Sequence, residues 1–286
     1  MIPFHLTPLA QAIESGFRTL IMGVINTTPD SFSDGGKHLD PDVAIVAGLK
    51  MFSEGADIVD IGGESTRPGS VSVHYKEEID RIIPVIEGIC CNNPEAVISV
   101  DTRRRVVAEA AIKAGARIIN DVSGFRDDPG LVDVALETGT GLIVMHMLGK
   151  PKTMQIEIRY NSFPGDIYEF FQERIQALED YGIAKQSIII DPGIGFGKTF
   201  DQNLILLNRL DYFKPLGKPI LAGPSRKSFL GKILDQPDAA ARDTGTLAAV
   251  TASVLRGASL VRVHDVFSAV QACKVADAIV RERVST

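Results

Sequence analysis

One phrase recurs eight times along the chain: a short β-branched, apolar run, then a loop rich in Gly, Ser, Thr or Asp, then a helical stretch. The runs are TLIMGVIN (19–26), DIVDIGGE (57–64), VISVDT (97–102), RIINDVSG (117–124), GLIVMHM (141–147), SIIIDPG (187–193), KPILAGPS (218–225) and LVRVHD (260–265). Near-continuous Val, Ile and Leu within a run means burial on both faces, as in a parallel sheet. Amphipathic segments at 103–115, 163–181, 200–213, 240–257 and 266–283 lie between and after them. Eight such units in 286 residues predict an α/β fold, a (β/α)8 TIM barrel. It forms one domain over 1–286, with residues 1–18 as a short N-terminal extension. A doubly wound sheet, the competing arrangement, has fewer strands and asks for a phosphate fingerprint after its first one.

Composition removes several function classes. A net charge of −6 lacks the basic footprint of a general nucleic-acid binder, so any bound anion must meet a local cluster of cations. No run of eighteen uncharged apolar residues is present, so no membrane-spanning helix is expected. The start, MIPFHLTPLAQAIESG, lacks the basic and apolar regions of a signal peptide. Three cysteines, two of them adjacent (Cys90 and Cys91), give neither a disulfide framework nor zinc-ligand spacing, which points to the cytoplasm.

The stretch IIIDPGIGFGKT (188–199) has the look of a nucleotide-phosphate loop, but its spacing does not. A P-loop needs glycine five residues before Gly197, and Pro192 stands there without an N–H to offer. The dinucleotide pattern would need glycine at Lys198. Asp191 at the end of an apolar run, followed by a glycine-rich loop, is what remains.

Barrel sites lie at the C-terminal ends of the strands. Those ends carry Asn26, Thr66 with Arg67, Asp101, Asn120, Asp191, Ser225 with Arg226 and Lys227, and Arg262 with His264. Asp101 has a second reading as the cap of the helix that begins in TRRRVVAEAA. Asn120, inside an apolar run, must find partners for its amide or cost about 1–3 kcal/mol. Arg262 and His264 share one strand face and suit a phosphate or diphosphate; the alternative is a salt-bridged Arg beside a satisfied core His. Asp101, Asn120, Asp191 and Lys227 together suit a flat, nitrogen-rich heterocycle. Asn26, Thr66, Arg67, Arg262 and His264 offer an anion site, each close charge pair being worth about 4 kcal/mol before desolvation at an effective dielectric near 20.

Four stretches carry a family resemblance: GVINTTPDSFSDGG (23–36), DIGGESTRPGS (60–70), DPGIGFGKT (191–199) and GPSRKSFLG (223–231). SVDT (99–102), INDVSG (119–124), MHM (145–147) and RVHDV (262–266) support them, in order along the whole chain. The chain resembles the dihydropteroate synthases, pterin-binding enzymes of folate biosynthesis. That resemblance implies a transferase joining 4-aminobenzoate to 6-hydroxymethyl-7,8-dihydropterin diphosphate, with diphosphate released and 7,8-dihydropteroate formed. It implies that Asp101, Asn120, Asp191 and Lys227 hold the pterin, with Met145 and Phe196 packing nearby. The diphosphate falls to Asn26, Thr66, Arg67, Arg262 and His264, with Mg²⁺ carried by Asn26 and phosphate oxygens. The aminobenzoate is expected near Phe32, Arg67, Pro68, Phe196, Ser225 and Lys227.

The same resemblance assigns the chemistry to Asp101, Asp191, Lys227, Arg262 and His264, through charge stabilisation without a covalent enzyme intermediate. It makes the first loop (27–36) a lid, and Lys198 a solvent-facing loop residue rather than a phosphate ligand. A homodimer is implied, with segment 243–260 as a candidate face. Sulfonamides, as mimics of aminobenzoate, are implied inhibitors, with Phe32, Pro68 and Ser225 as positions for tolerance. Departures from the family pattern are Leu148 and Gln202, where polar residues and histidine are common. Two other readings share the barrel: a pterin-binding corrinoid methyltransferase and a non-catalytic pterin-binding paralogue. Neither has a need for both NTTPDSFSDGG and STRPG, which are intact here.

Overall fold

Each of the eight expected runs forms a strand: β1 (Leu20–Asn26), β2 (Ile58–Gly62), β3 (Ile98–Asp101), β4 (Ile118–Asp121), β5 (Gly141–Met145), β6 (Ile188–Asp191), β7 (Leu221–Ala222) and β8 (Leu260–Val263). The structure is a computed structural model and describes residues 3–28, 40–66 and 69–282. All strand pairs are parallel, in the order β6-β5-β4-β3-β2-β1-β8-β7. A bridge between Ile190 and Ile220 brings β6 to β7 and closes the cylinder, with Ile190 N–H donating to the Pro219 carbonyl at 3.0 Å. The β7 ladder is two residues long, shorter than the run from which it grows. Pro219 and Pro224 flank it and have no N–H to extend the pairing.

The strand alternation sorts side chains into two cores. Leu20, Met22, Ile58, Ile118, Ile143, Ile189, Leu221 and Leu260 meet inside the barrel, together with Phe4, Ala10 and Ile13 of the N-terminal segment. Residues of the other parity, such as Ile21, Val59, Ile119, Val144 and Ile190, join the core under the helices.

The helices are α1 (Pro8–Ser15), α2 (Pro41–Ser53), α3 (Tyr75–Asn92), α4 (Arg105–Ala114), α5 (Gly130–Thr138), α6 (Gly165–Tyr181), α7 (Phe200–Asn208), α8 (Ser228–Leu234), α9 (Asp243–Leu255) and α10 (Val266–Arg281), and those after α1 cover the outside. The expected N-terminal extension is α1 with a preceding 3-10 turn, and it plugs the N-terminal end of the barrel. Thr7 caps α1 by accepting from Ala10 N–H, and Phe4 N–H donates to the Gly139 carbonyl at 2.6 Å. With one end sealed by apolar side chains, a ligand must enter where the strands end.

Along the inward face the chemistry changes from apolar to polar. Ile58 is followed two residues later by Asp60, Ile118 by Asn120, Ile189 by Asp191, and Leu260 by Arg262 and then His264. A charged residue inside a barrel must be paired. The pairing builds the site.

Candidate active site

The ladder register sets neighbours side by side before any side chain is placed. Asn26 pairs with Gly62, Gly62 with Asp101, and Asp101 with Asn120, while Met145 pairs with Asp191. Asn26, Asp101 and Asn120 thus share one level on β1, β3 and β4, with Gly62 of β2 between the first two.

Arg262 reaches across the barrel from β8. Its Nε donates to Asp60 Oδ2 at 2.7 Å, and its Nη2 stands 2.7 Å from the same oxygen and 3.2 Å from Asp101 Oδ2. Asn120 Nδ2 donates to Asp60 Oδ2 at 3.0 Å, which supplies the partner that a buried amide requires. Arg262 is therefore salt-bridged, yet its bridges lie inside the polar end of the barrel rather than away from it. Asp101 does not cap α4; Arg105 N–H donates to Asp128 Oδ2 at 2.7 Å instead. Burial, and then the neighbouring Asp60 carboxylate, push Asp101 up to about 7 against the pull of Arg262.

Asp191 forms the opposite wall. Its Oδ1 accepts Gly193 N–H at 2.7 Å, while its main-chain carbonyl accepts His146 N–H at 2.9 Å. Burial raises its carboxyl, and Gly193 N–H, Lys227, Lys198 and Arg262 oppose the rise. Asp191 ends β6 beside Met145 of β5, at the same C-terminal end of the barrel as Arg262.

Lys198 departs from expectation. It is buried, not solvent-facing, with 2% of its surface exposed. Its Nζ donates to the carbonyls of His146 (3.1 Å) and Phe196 (3.0 Å) and lies 3.1 Å from His146 Nδ1. An ammonium has three protons, and three partners meet them. Burial lowers Lys198 to about 7, with Asp191 opposing the fall. Burial and then Lys198 push His146 well below its ordinary range. Sequence alone gave no sign of this because the loop curls inward at its glycines. A Cβ on Gly193 (φ +69) would stand 2.0 Å from the His146 carbonyl oxygen, so only glycine brings the chain this close.

The glycine loop is held along its length. Asn203 Oδ1 accepts Gly195 N–H at 2.6 Å, Gln155 donates to the Gly195 carbonyl at 3.1 Å, and Tyr160 donates to the Gly197 carbonyl at 2.9 Å. This fixes Phe196, whose ring lies under Lys227 Nζ at 4.0 Å. Phe196 also packs on Val122, Met145, Met147 and Met154, an apolar wall beside the carboxylates. Gln202, one of the departures, completes a capping box with Thr199 at the start of α7. Its place in the chain is thus structural.

Ser225 Oγ lies 2.9 Å from His264 Nδ1 and accepts His264 N–H at 3.2 Å, joining the ends of β7 and β8. Arg226 points elsewhere: it makes a two-pronged pair with Asp243 at 2.7 and 2.8 Å, at the start of α9. Thr66 is half-buried beyond β2, and Asn26 is half-buried at the end of β1. Phe32, Arg67 and Pro68 lie outside the described residues, as does most of the expected lid. The two ends of the second loop are tied to each other, since Glu64 accepts from Ser72 Oγ (2.9 Å), Val73 N–H (3.0 Å) and Arg104 (2.7 Å). Arg103 adds an ion pair to Glu64.

Asp60 was not among the residues singled out from the sequence, though three donor contacts converge on it. Asp121 shows the contrast with its neighbour Asn120. It accepts from Ser123 N–H, Ser123 Oγ and Phe125 N–H, so it shapes the turn after β4 and leaves the pocket to Asn120.

Residues 22–264 match the family described as pterin binding enzyme. The dihydropteroate synthase of Synechocystis sp. is 46% identical over 275 residues, covering 96% of this chain and 95% of that one. The chain belongs to the dihydropteroate synthase family. Among solved structures, the Xanthomonas albilineans dihydropteroate synthase with 4-aminobenzoic acid superposes with a TM-score of 0.85 at 42% identity, over 92% of this chain and 93% of the other. The same organism's enzyme in complex with 7,8-dihydropteroate gives 0.83 at 40% identity, over 92% and 94% of the two chains. The polar cluster of this chain sits at the C-terminal ends of the strands of its (β/α)8 barrel.

Proposed function

We propose that this chain is a dihydropteroate synthase, a transferase of folate biosynthesis. It condenses 6-hydroxymethyl-7,8-dihydropterin diphosphate with 4-aminobenzoate, giving 7,8-dihydropteroate and diphosphate. The observation that carries the reading is the convergence of Asp101, Asn120, Asp191 and Arg262 beside the Phe196–Met145 wall and Lys227. These acceptors and donors suit a nitrogen-rich ring, and the Arg262 guanidinium beside Asp101 suits its diphosphate.

The pterin sits flat in this cradle. Asp101, Asn120 and Asp191 face its N–H groups, Lys227 faces its carbonyl, and Met145 and Phe196 exclude water from its faces. In the reaction the bond between the exocyclic CH₂ and the diphosphate oxygen breaks early, and the arylamine nitrogen forms the new C–N bond and then loses its proton. Positive charge on the CH₂ spreads into the ring, where Asp101 and Asp191 stabilise it as carboxylates. Arg262, His264, Thr66 and Arg67 bind the departing anion. Ser225 holds His264 in place and, with Phe32, Pro68, Phe196 and Lys227, borders the slot for aminobenzoate. Catalysis is charge stabilisation plus positioning, with no nucleophile from the protein.

We propose Asn26 as the one protein ligand of a Mg²⁺ ion that would accompany the diphosphate. Asn26 offers one amide oxygen, and no group of three or more His, Cys, Asp or Glu that could hold a metal occurs among the described residues. An ion that keeps waters and takes its other ligands from phosphate oxygens suits such a place. When bound, it would neutralise charge on the diphosphate. We further propose a homodimer through the α9 region and a cytoplasmic location; among the described residues no helix is long and apolar enough to cross a membrane.

Diphosphate release with both substrates present tests the reading. Release that depends on 4-aminobenzoate, with matching formation of dihydropteroate, is expected. A purified, folded chain that binds pterin yet forms no such product would overturn it.

A further inference from the structure

Asp60 carries more of the site than its position in mid-strand suggests. The side chain is wholly buried on β2. Its Oδ2 accepts from Arg262 Nε at 2.7 Å and from Asn120 Nδ2 at 3.0 Å, and Arg262 Nη2 stands 2.7 Å away in the same ion pair. One carboxylate oxygen thereby fixes two residues of the cradle that come from β4 and β8. Its other oxygen, Oδ1, is buried and has no hydrogen-bond partner among the described residues.

The neighbour across the ladder has the same deficit. Ser99 on β3 is the Cα partner of Asp60, is equally buried, and its Oγ has no partner either. Asp101 is two residues further along β3 on the same face, so Asp60 and Ser99 form the layer directly beneath the cradle. Below them the described side chains that meet inside the barrel, from Ile58 and Met22 to Phe4, are apolar.

Leaving a buried acceptor or hydroxyl unmatched is costly, the more so for a charged group. Two such atoms on adjacent strands, turned into one interior, are the setting in which internal water is found. Water is also the donor that fits: it can donate to Asp60 Oδ1 and accept from or donate to Ser99 Oγ. A larger polar molecule has no entry from the plugged end, and from the mouth it would have to pass Arg262 and Asp101.

We propose that Asp60 and Ser99 bind one buried water beneath the cradle, and that this hydrated carboxylate is the positioning group for Arg262 and Asn120. Asp60 touches no substrate in this scheme; it acts through the two side chains that do. The consequence for function rests on the synthase reading above, whereas the water itself does not.

The test has two arms. In a crystal structure of the full chain without substrates, at a resolution that reveals water, a solvent peak should lie within about 3.2 Å of both Asp60 Oδ1 and Ser99 Oγ. A direct Asp60–Ser99 hydrogen bond, or no peak between them, overturns the proposal. In kinetics, Asp60→Asn should lower kcat/KM for the pterin ester by roughly tenfold or more, since a charge-assisted bond to Arg262 is lost. Ser99→Ala should act in the same direction but less, and neither should raise the KM for aminobenzoate in proportion. Crystals of Ser99→Ala should lose the peak, which keeps the proposal testable if Asp60→Asn fails to fold. Equal effects on both KM values, with Arg262 unmoved in the variant crystals, would remove the positioning role. Because the water is read without substrate, its absence and a wrong substrate assignment are separable results.

Discussion

Arg262 Nη2 stands 3.2 Å from Asp101 Oδ2, so a half-buried cation on β8 and a carboxyl on β3 share one contact across the barrel. Asp101 nevertheless holds its proton up to about 7 rather than its ordinary 3.8. Between those values the folded chain binds a proton that the unfolded chain has released. The contribution of Asp101 to stability is therefore full below about pH 4 and is lost as pH rises through about 7. Asp101→Asn cannot ionise, so urea unfolding should show the variant losing less stability than the parent between about pH 5 and about pH 8. Under the proposed mechanism turnover should fall by roughly a hundredfold or more, because the carboxylate assigned to the developing cation is gone. A variant with near-normal turnover would remove Asp101 from the chemistry.

Lys198 has the opposite sign. Its folded value lies at about 7, below the ordinary 10.5, so the unfolded chain is the better proton binder between them. Stability from this group is thus poorest below about pH 7 and recovers as pH climbs toward 10. Lys198→Met leaves the His146 and Phe196 carbonyls without their donor, at about 1–3 kcal/mol for each buried group. Measured by denaturant unfolding, the parent should gain stability relative to the variant as pH rises from about 7 to about 9.5. If Lys198 faces solvent after all, the two curves will run parallel.

The contrast between these residues marks what the sequence could reveal. Asp101, Asn120, Asp191 and Arg262 stand at the ends of apolar runs, so strand periodicity and the barrel rule locate them. All eight strands were legible for the same reason, although the length of β7 depends on two prolines. Lys198 lies in a loop whose path is set by left-handed glycines, and loop paths do not follow from periodicity. Asp60 could have been noticed as a charge inside the apolar run DIVDIGG, on the inward parity of Ile58. Its partner Arg262, however, is 202 residues away, and pairing over that distance appears only when the barrel closes. Arg226, read with its neighbours as part of a strand end, proves to lock the chain to α9 through Asp243.

Phe196 and Lys227 give a separable prediction. The ammonium lies 4.0 Å over the ring, and the ring faces the Met145 wall. Phe196→Ala removes a cation–π contact worth about 0.5–2 kcal/mol, which corresponds to a roughly two- to thirtyfold loss of affinity if Lys227 must be held to meet the pterin. Calorimetric titration with a pterin lacking the diphosphate reads this directly. Phe196→Leu should recover the wall but not the cation–π contact, and so fall between the two. Equal binding by all three proteins would separate Phe196 from the cradle.

Gly193 and Gly217 form a natural control for the inward loop. Both have left-handed backbone, with φ of +69 and +66. A Cβ on Gly217 meets nothing within 4 Å, whereas one on Gly193 would lie 2.0 Å from the His146 carbonyl oxygen and 3.2 Å from Lys198 Nζ. Gly217→Ala should thus cost only the left-handed strain, about 1–2 kcal/mol, and leave turnover alone. Gly193→Ala carries the same strain plus a backbone collision that forces apart the two loops bridged by Lys198. It also shifts the N–H that Asp191 accepts at 2.7 Å. Unfolding should therefore show the larger loss for Gly193→Ala, and kinetics should show a fall in kcat/KM for the pterin ester that Gly217→Ala does not share. Were the two alanines to cost the same and both stay active, the close packing of this loop against His146 would not be what holds Asp191 in place.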